Sequence, residues 1–453
     1  MAIHSQQLER LEQRYHESGN SIVVLYGRPG MEKKELIKSF LNQKRGIYYY
    51  ATQCSEEEQR RLMAKTIERS CDIRITDNNY VHLFNRIKSG NASKLVFVID
   101  NFENIVKKDP DFITNIIALK ERKRYPGPVM VVLCSESLSY VENDFKEEAK
   151  TLASKVDEII KVSEVNFLEI VRCFPNYSVS QSIEVYGVLG GVPEYLQYWN
   201  DKKDLRQNIC EQVLSSKGRL FYEAENYIAA QLREYGVYYT ILSAIAQGKE
   251  KLNDIFTYTG YSRPKISVYM KNLMEFEVIE KVQSFETGGS DNAKKGVYRI
   301  KNTFLNFWFR FVFPNRSQLY TMAPEEFYDA YIGPEIADYL NRYFIQVCME
   351  YFELSSAVKQ LPIVISKMGT WVGKKGNVDI VAQDRYRHTI VGQCSWSEPQ
   401  FTYAMFEQLQ NNIQYAKIKT EYYYLFSAKK FEDKLIQASK ENKNIILVDM
   451  NRL

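Results

Sequence analysis

Four runs in the first 160 residues, Ile22–Tyr26, Gly46–Tyr50, Leu95–Asp100 and Val129–Cys134, are apolar at almost every position. A strand with one wet face alternates apolar and polar residues. A run that is apolar throughout is a strand covered on both faces, the condition of a parallel sheet with helices on either side. The stretches between them, Lys33–Asn42, Ser55–Ser70, Tyr80–Ser89 and Asp111–Arg124, carry apolar residues at helical spacing. Strand, helix, strand, helix in that order gives a doubly wound α/β domain over residues 1–162.

Strand signals vanish over residues 163–235, where helices dominate in the manner of a helical lid. Residues 236–303 read as a winged helix-turn-helix of three helices followed by a β-hairpin. Ser262 is the N-cap of the third helix, with Pro264 tolerated in its first turn. The hairpin strands are Val278–Ser284 and Gly296–Ile300, around a Gly-Gly-Ser turn at 288–290. Residues 304–335, with Pro314, Pro324 and Pro334, are expected to be a linker. Residues 336–453 follow the order α-β-β-β-α-β-α-β, a second α/β module. A chain of 453 residues accommodates this many compact parts.

Composition narrows the chemistry. With 60 Lys+Arg against 56 Asp+Glu the chain is not a uniformly basic nucleic-acid coat, and four histidines leave little room for a histidine-rich metal enzyme. The positive excess is localised: residues 236–303 hold 10 basic and 7 acidic side chains, and residues 336–453 hold 15 and 12. The seven cysteines include no C-x-x-C pair and read as reduced thiols in a cytoplasmic protein. The N-terminus lacks the apolar region of a signal peptide. The most hydrophobic stretch, Phe304–Phe313, is interrupted by Asn306 and Arg310 and is too short to span a bilayer, so no membrane is expected.

The first strand runs directly into Gly27-Arg28-Pro29-Gly30-Met31-Glu32-Lys33-Lys34 and then into a helix. Strand, glycine-rich turn and helix N-terminus together form a phosphate-binding loop, because free backbone N–H groups and the helix dipole favour an anion there. The strict pattern G-x-x-x-x-G-K-[ST] is met at Gly27 and Lys33, whereas Glu32 replaces the second glycine and Lys34 replaces the hydroxyl that would hold Mg²⁺. The third strand ends in Asp100-Asn101, the place of an acidic pair. Asp100 is a candidate Mg²⁺ carboxylate, and Asn101 stands where a water-activating glutamate belongs. Ser135-Glu136-Ser137 after the fourth strand is placed to meet a γ-phosphate, and Pro193 of Gly190-Gly191-Val192-Pro193 to meet a base. The candidate nucleotide contacts are therefore Gly27, Arg28, Pro29, Gly30, Lys33, Lys34 and Pro193.

Arg263, Lys265 and Lys271 on the recognition helix, with Lys294 and Lys295 on the wing, form a candidate DNA-phosphate footprint. Glu275 and Glu277 dilute it, and a protein partner is the alternative reading. In the C-terminal module Asp379 stands where a nuclease would bind metal, but the following strand supplies neutral Gln393 and Ser395 where a second carboxylate and a lysine are needed.

These residues resemble one family, the prokaryotic AAA+/STAND-type ATPases with a C-terminal winged helix and a restriction-endonuclease-like domain. The resemblance is carried by IVVLYGRPGMEKKELIKSF, LVFVIDNFENI, GGVPEYL, YRIKNTFLNFWFRFVFPN, and GNVDIVA with GQCSW. It implies a P-loop NTPase-like parallel-sheet domain with a helical lid, a winged helix-turn-helix and a nuclease-like end, with ATP or ADP and Mg²⁺ as cofactors. Relative to the family, Glu32, Lys34, Asn101, Ile345, Gln393 and Ser395 each replace a function-specific residue, the mark of a pseudoenzyme. The expected function is a nucleotide-binding switch or scaffold, weak or non-hydrolysing, that contacts DNA or a protein partner. Its alternatives are an active ATPase with Glu103 or Glu136 as base, and a Mg²⁺-dependent nuclease pairing Asp379 with Glu350 or Glu398. The oligomeric state, and an arginine finger among Arg122, Arg124 and Arg172, stay open.

Overall fold

The computed structural model describes residues 4–87, 94–122, 127–285, 296–373 and 376–453. It divides into two compact units, Met1–Val165 with Val192–Glu194, and Asn166–Gly191 with Tyr195–Leu453.

The first unit is built on β1 (Ser21–Tyr26), β2 (Gly46–Tyr50), β3 (Leu95–Asp100), β4 (Val129–Ser135) and β5 (Glu158–Lys161). All pairs are parallel, and the spatial order is β2-β3-β4-β1-β5. Every residue of β1, β3 and β4 is buried, while β2, at one edge, alternates exposed and buried. The continuous apolar runs thus become the covered central strands. Each fully buried Val, Leu, Ile or Phe contributes about 1.5–3 kcal/mol relative to exposure. The helix Glu56–Cys71 is capped by Ser55, and Pro110–Glu121 by Asp109 with proline in its first turn. The helix ends expected at Ser89 and Arg124 lie outside the described residues. This is an α/β unit of the P-loop NTPase-like kind, with the loop after β1 and the Asp100 end of β3 on one edge of the sheet, flanking β4.

In the second unit, Val179–Leu189 packs on the long helix Ile336–Ala357. Gly187 permits the contact, since a Cβ there would lie 2.2 Å from Leu340 Cδ2. Tyr235–Ala246, Leu252–Thr259 and Arg263–Glu275 are three helices that precede a hairpin. Ser262 caps the third by accepting from the Lys265 amide. The antiparallel hairpin pairs β6 (Ile279–Val282) with β7 (Val297–Ile300); its expected tip at 288–290 lies outside the described residues.

Residues 304–335 differ from the linker expectation. Thr303–Phe307 continues into a π-helical turn, Trp308–Val312, and Phe304, Phe307, Trp308, Phe309 and Phe311 are almost wholly buried. A run this aromatic cannot remain solvated, and its rings pack edge-on against one another and against Tyr239 and Tyr339. Pro314 and Pro324 sit in the first turns of short helices, and Pro334 in the turn before the long helix; they do not mark a free tether.

The C-terminal sheet contains β8 (Lys367–Val372), β9 (Asn377–Gln383), β10 (Thr389–Ser395), β12 (Tyr422–Ser427) and β14 (Ile445–Asp449), in the order β14-β12-β10-β9-β8. β11 (Gln400–Phe401) and β13 (Lys430–Phe431) make a small separate pair. β8, β9 and β10 are antiparallel neighbours, and β10, β12 and β14 are parallel. Among the described residues no helix is long and apolar enough to cross a membrane, and none of the cysteines forms a disulfide.

Candidate functional site

In an open parallel sheet, ligands bind beyond the carboxyl ends of the strands. β1, β4 and β3 end together here: Tyr26 is in register with Ser135, and Asp100 with Cys134. The loop after β1 begins at Gly27, where a Cβ would come within 2.4 Å of the Val162 carbonyl, so only glycine fits. Gly30 (φ 83°) and Glu32 (φ 54°) both adopt left-handed backbone, the second an uncommon choice for a non-glycine residue. The helix Lys33–Leu41 then begins with no side-chain cap, leaving its first amides for an anion.

The Lys33 side chain is buried, at 5% exposure, and folds back over the loop. Its ammonium donates to the carbonyls of Gly27 (2.6 Å) and Arg28 (3.0 Å) and lies 3.7 Å from Glu136 Oε1. Burial pulls its pKa down, against the charges of Glu136 and Asp100. Arg28 pairs with Glu164, and the Met31 carbonyl meets His4 Nε2 at 2.9 Å. Val192–Glu194 crosses to this loop: the Glu194 amide donates to the Gly30 carbonyl (3.2 Å), bringing buried Pro193 beside it. Pro29 is exposed at the loop's turn. Burial, together with Glu35 and Glu194, raises the Glu32 carboxyl above the usual range, which weakens its opposition to an anion.

Asp100 is 4% exposed, and each of its oxygens already accepts a hydrogen bond. Tyr48 O–H reaches Oδ2 at 2.5 Å, and the Asn101 amide reaches Oδ1 at 3.1 Å. Glu103, one turn on, has a buried Oε2 with no hydrogen-bond partner. Burial pushes its carboxyl up to about 7, against its own backbone amide, Ser135 and Lys107. The Lys34 ammonium lies 5.3 Å from the centre of the Tyr50 ring. Tyr50 is the register partner of Asp100.

The sequence reading missed Tyr48 and Tyr50. The signal was the tyrosine triplet on a strand whose alternate residues face the site edge. The donor set fits a Mg²⁺ at this loop poorly: Lys34 stands where a hydroxyl ligand would be, and both oxygens of Asp100 already accept hydrogen bonds, from Tyr48 and the Asn101 amide.

The two further candidate sites stand apart in character. Arg263, Lys265 and Lys271 are exposed on one helix. Lys265 lies 4.7 Å from the Tyr261 ring centre, Arg263 lies 5.3 Å from that of Phe256, and Lys271 pairs with Glu275 at 3.5 Å. Lys294 and Lys295 lie outside the described residues. Asp379 is buried, accepting from Gln393 Nε2 (2.7 Å) and the Cys394 amide (2.9 Å), and burial pushes its carboxyl up to about 6. The second nuclease carboxylate does not arrive: Glu350 is taken up by the Phe167 amide and the Tyr186 hydroxyl, and Glu398 is exposed. The metal expectation at Asp379 therefore meets a neutral amide where a second ligand was needed.

Residues 308–411 match the DUF234 family, described as archaea bacterial proteins of unknown function. Over 450 residues the chain is 24% identical to an uncharacterized protein of Methanocaldococcus jannaschii, with 98% of each chain covered. Among solved structures, the Walker-type ATPase of Pyrococcus abyssi aligns at 14% identity with a TM-score of 0.49, covering 68% of this chain and 96% of that one. The ORC2 protein of Aeropyrum pernix, solved in ADPNP–ADP complexes, aligns at 12% identity with a TM-score of 0.45, covering 71% and 95%.

Proposed function

We propose that this protein binds the phosphates of ATP or ADP in the loop Gly27–Lys34 and acts as a nucleotide-responsive switch. The carrying observation is Lys33: a buried ammonium at the carboxyl edge of a parallel sheet, satisfied by its own loop's carbonyls. Those contacts are the ones a phosphate oxygen would replace, and the uncapped amides of Lys33–Leu41 supply the remaining donors. Pro193, buried and held beside the loop by the hydrogen bond from the Glu194 amide to Gly30, is the candidate contact for a base. A ligand that binds only the folded state raises stability by about 2.7 kcal/mol at a hundred times its dissociation constant. The melting temperature is expected to rise with millimolar ATP in the wild-type chain and to stay flat in Lys33→Ala. No rise in either protein refutes the reading.

A second reading, turnover of the nucleotide, draws support from Glu103. Its carboxyl is held near neutrality with one oxygen unpartnered, the condition of a general base, although Asn101 occupies the ordinary base position. Phosphate release that disappears in Glu103→Gln is its required result. The exposed Arg263, Lys265 and Lys271 support contact with DNA phosphates as the output of the switch, and a protein partner is the alternative.

A further inference from the structure

The two lysines that follow the loop are aimed at opposite sides of it. Lys33 turns toward the β4 side, where Glu136 lies 3.7 Å from its ammonium. Lys34 turns toward the β2 side, its ammonium over the ring of Tyr50, and Tyr50 sits in register beside Asp100. Tyr48, two residues earlier and on the same side of β2 as Tyr50, closes the Asp100 carboxylate with a 2.5 Å hydrogen bond. A loop with a hydroxyl at position 34 and an open Asp100 would recruit a divalent cation to neutralise the phosphates. In this chain the hydroxyl is replaced by a positive charge, and the carboxylate is occupied by a phenol.

Resting on the nucleotide-binding reading above, we propose that the site is metal-independent: Lys34 supplies the charge that Mg²⁺ would otherwise bring, and Tyr48 holds Asp100 out of metal coordination. The ligand is the free nucleoside polyphosphate anion, bracketed by two ammonium groups. Lys34 is exposed and its contact with Tyr50 is a single cation–π pair, so its movement onto a phosphate disturbs no core packing. The electrostatics also account for Glu32 and Glu35 near the helix start. Without a second lysine, these acids would oppose a polyanion unless a metal joined it.

The test is calorimetric titration of the full chain with ATP, once with excess Mg²⁺ and once with EDTA. Affinities within about threefold of each other are expected for the wild-type protein. In Lys34→Thr, binding in EDTA should weaken tenfold or more, and in Lys34→Thr/Tyr48→Phe added Mg²⁺ should recover most of it. Circular dichroism confirms that both variants are folded, and Lys34→Gln repeats the loss with a helix-compatible side chain. Wild-type binding that is tenfold or more tighter with Mg²⁺ overturns the inference while leaving nucleotide binding intact. Binding in neither buffer overturns both. An unchanged EDTA affinity in Lys34→Thr and Lys34→Gln also overturns it.

Discussion

At the scale of single residues, the site is a set of charges held in buried positions by short-range contacts. The Lys33 ammonium, at 5% exposure, is surrounded by two carbonyls and a carboxylate that offset part of its burial. For Glu103 burial outweighs its backbone amide, Ser135 and Lys107 and pushes the carboxyl up to about 7, which makes stability depend on pH. The folded state binds this proton more tightly than the unfolded chain, whose glutamate titrates near 4.5. The contribution is complete below pH 4.5 and is lost as pH rises through 7, a fall of up to about 3 kcal/mol. Chemical denaturation of wild type and Glu103→Gln at pH 4.5 and pH 8 should show the variant gaining stability relative to wild type only at the higher pH. An equal difference at both values contradicts the assignment. The positions of the loop Gly27–Lys34 and of Asp100 at strand ends were legible in the sequence because they follow strands that their own apolar runs announce. Tyr48 was not, because its partner lies 52 residues away and only the pairing of β2 with β3 brings them together.

At the scale of elements, periodicity worked where one force dominated. The covered strands of the first sheet, the three helices from Tyr235 to Glu275 and the C-terminal strand order all follow from apolar pattern and caps. The pattern misled at 304–335, where proline spacing suggested a tether and the aromatic content decided the outcome. Phe307 and Phe311 pack against each other at a tilt and edge-on against Tyr339 of the long helix. Phe307→Ala is expected to cost about 3–5 kcal/mol, as for other buried phenylalanines. A urea midpoint within error of wild type would mean that this segment is a linker after all. The wing base is likewise tied down: Val372 donates its amide to Ser284 Oγ at 3.2 Å, and Lys367 donates to the Phe285 carbonyl at 2.8 Å. These bonds join the outgoing hairpin strand to the open edge of β8, which covers an edge that would otherwise invite pairing.

At the scale of the whole molecule, the first unit carries the candidate nucleotide site and the second carries the basic helix and the Asp379 module. A nucleotide switch needs an output, and the helix Arg263–Glu275 presents the exposed basic residues Arg263, Lys265 and Lys271. If DNA is that output, binding should weaken steeply with salt, and Arg263→Ala/Lys265→Ala should weaken it further and flatten the salt slope by about two counterions. Affinity unchanged in the double variant directs the search to a protein partner. The measurement closest to the central claim is equilibrium binding of a fluorescent ATP analogue to the full chain, compared between wild type and Lys33→Ala. A saturable signal in wild type that ATP displaces, weakened tenfold or more in the variant, is the predicted result; equal binding by the two proteins contradicts the account.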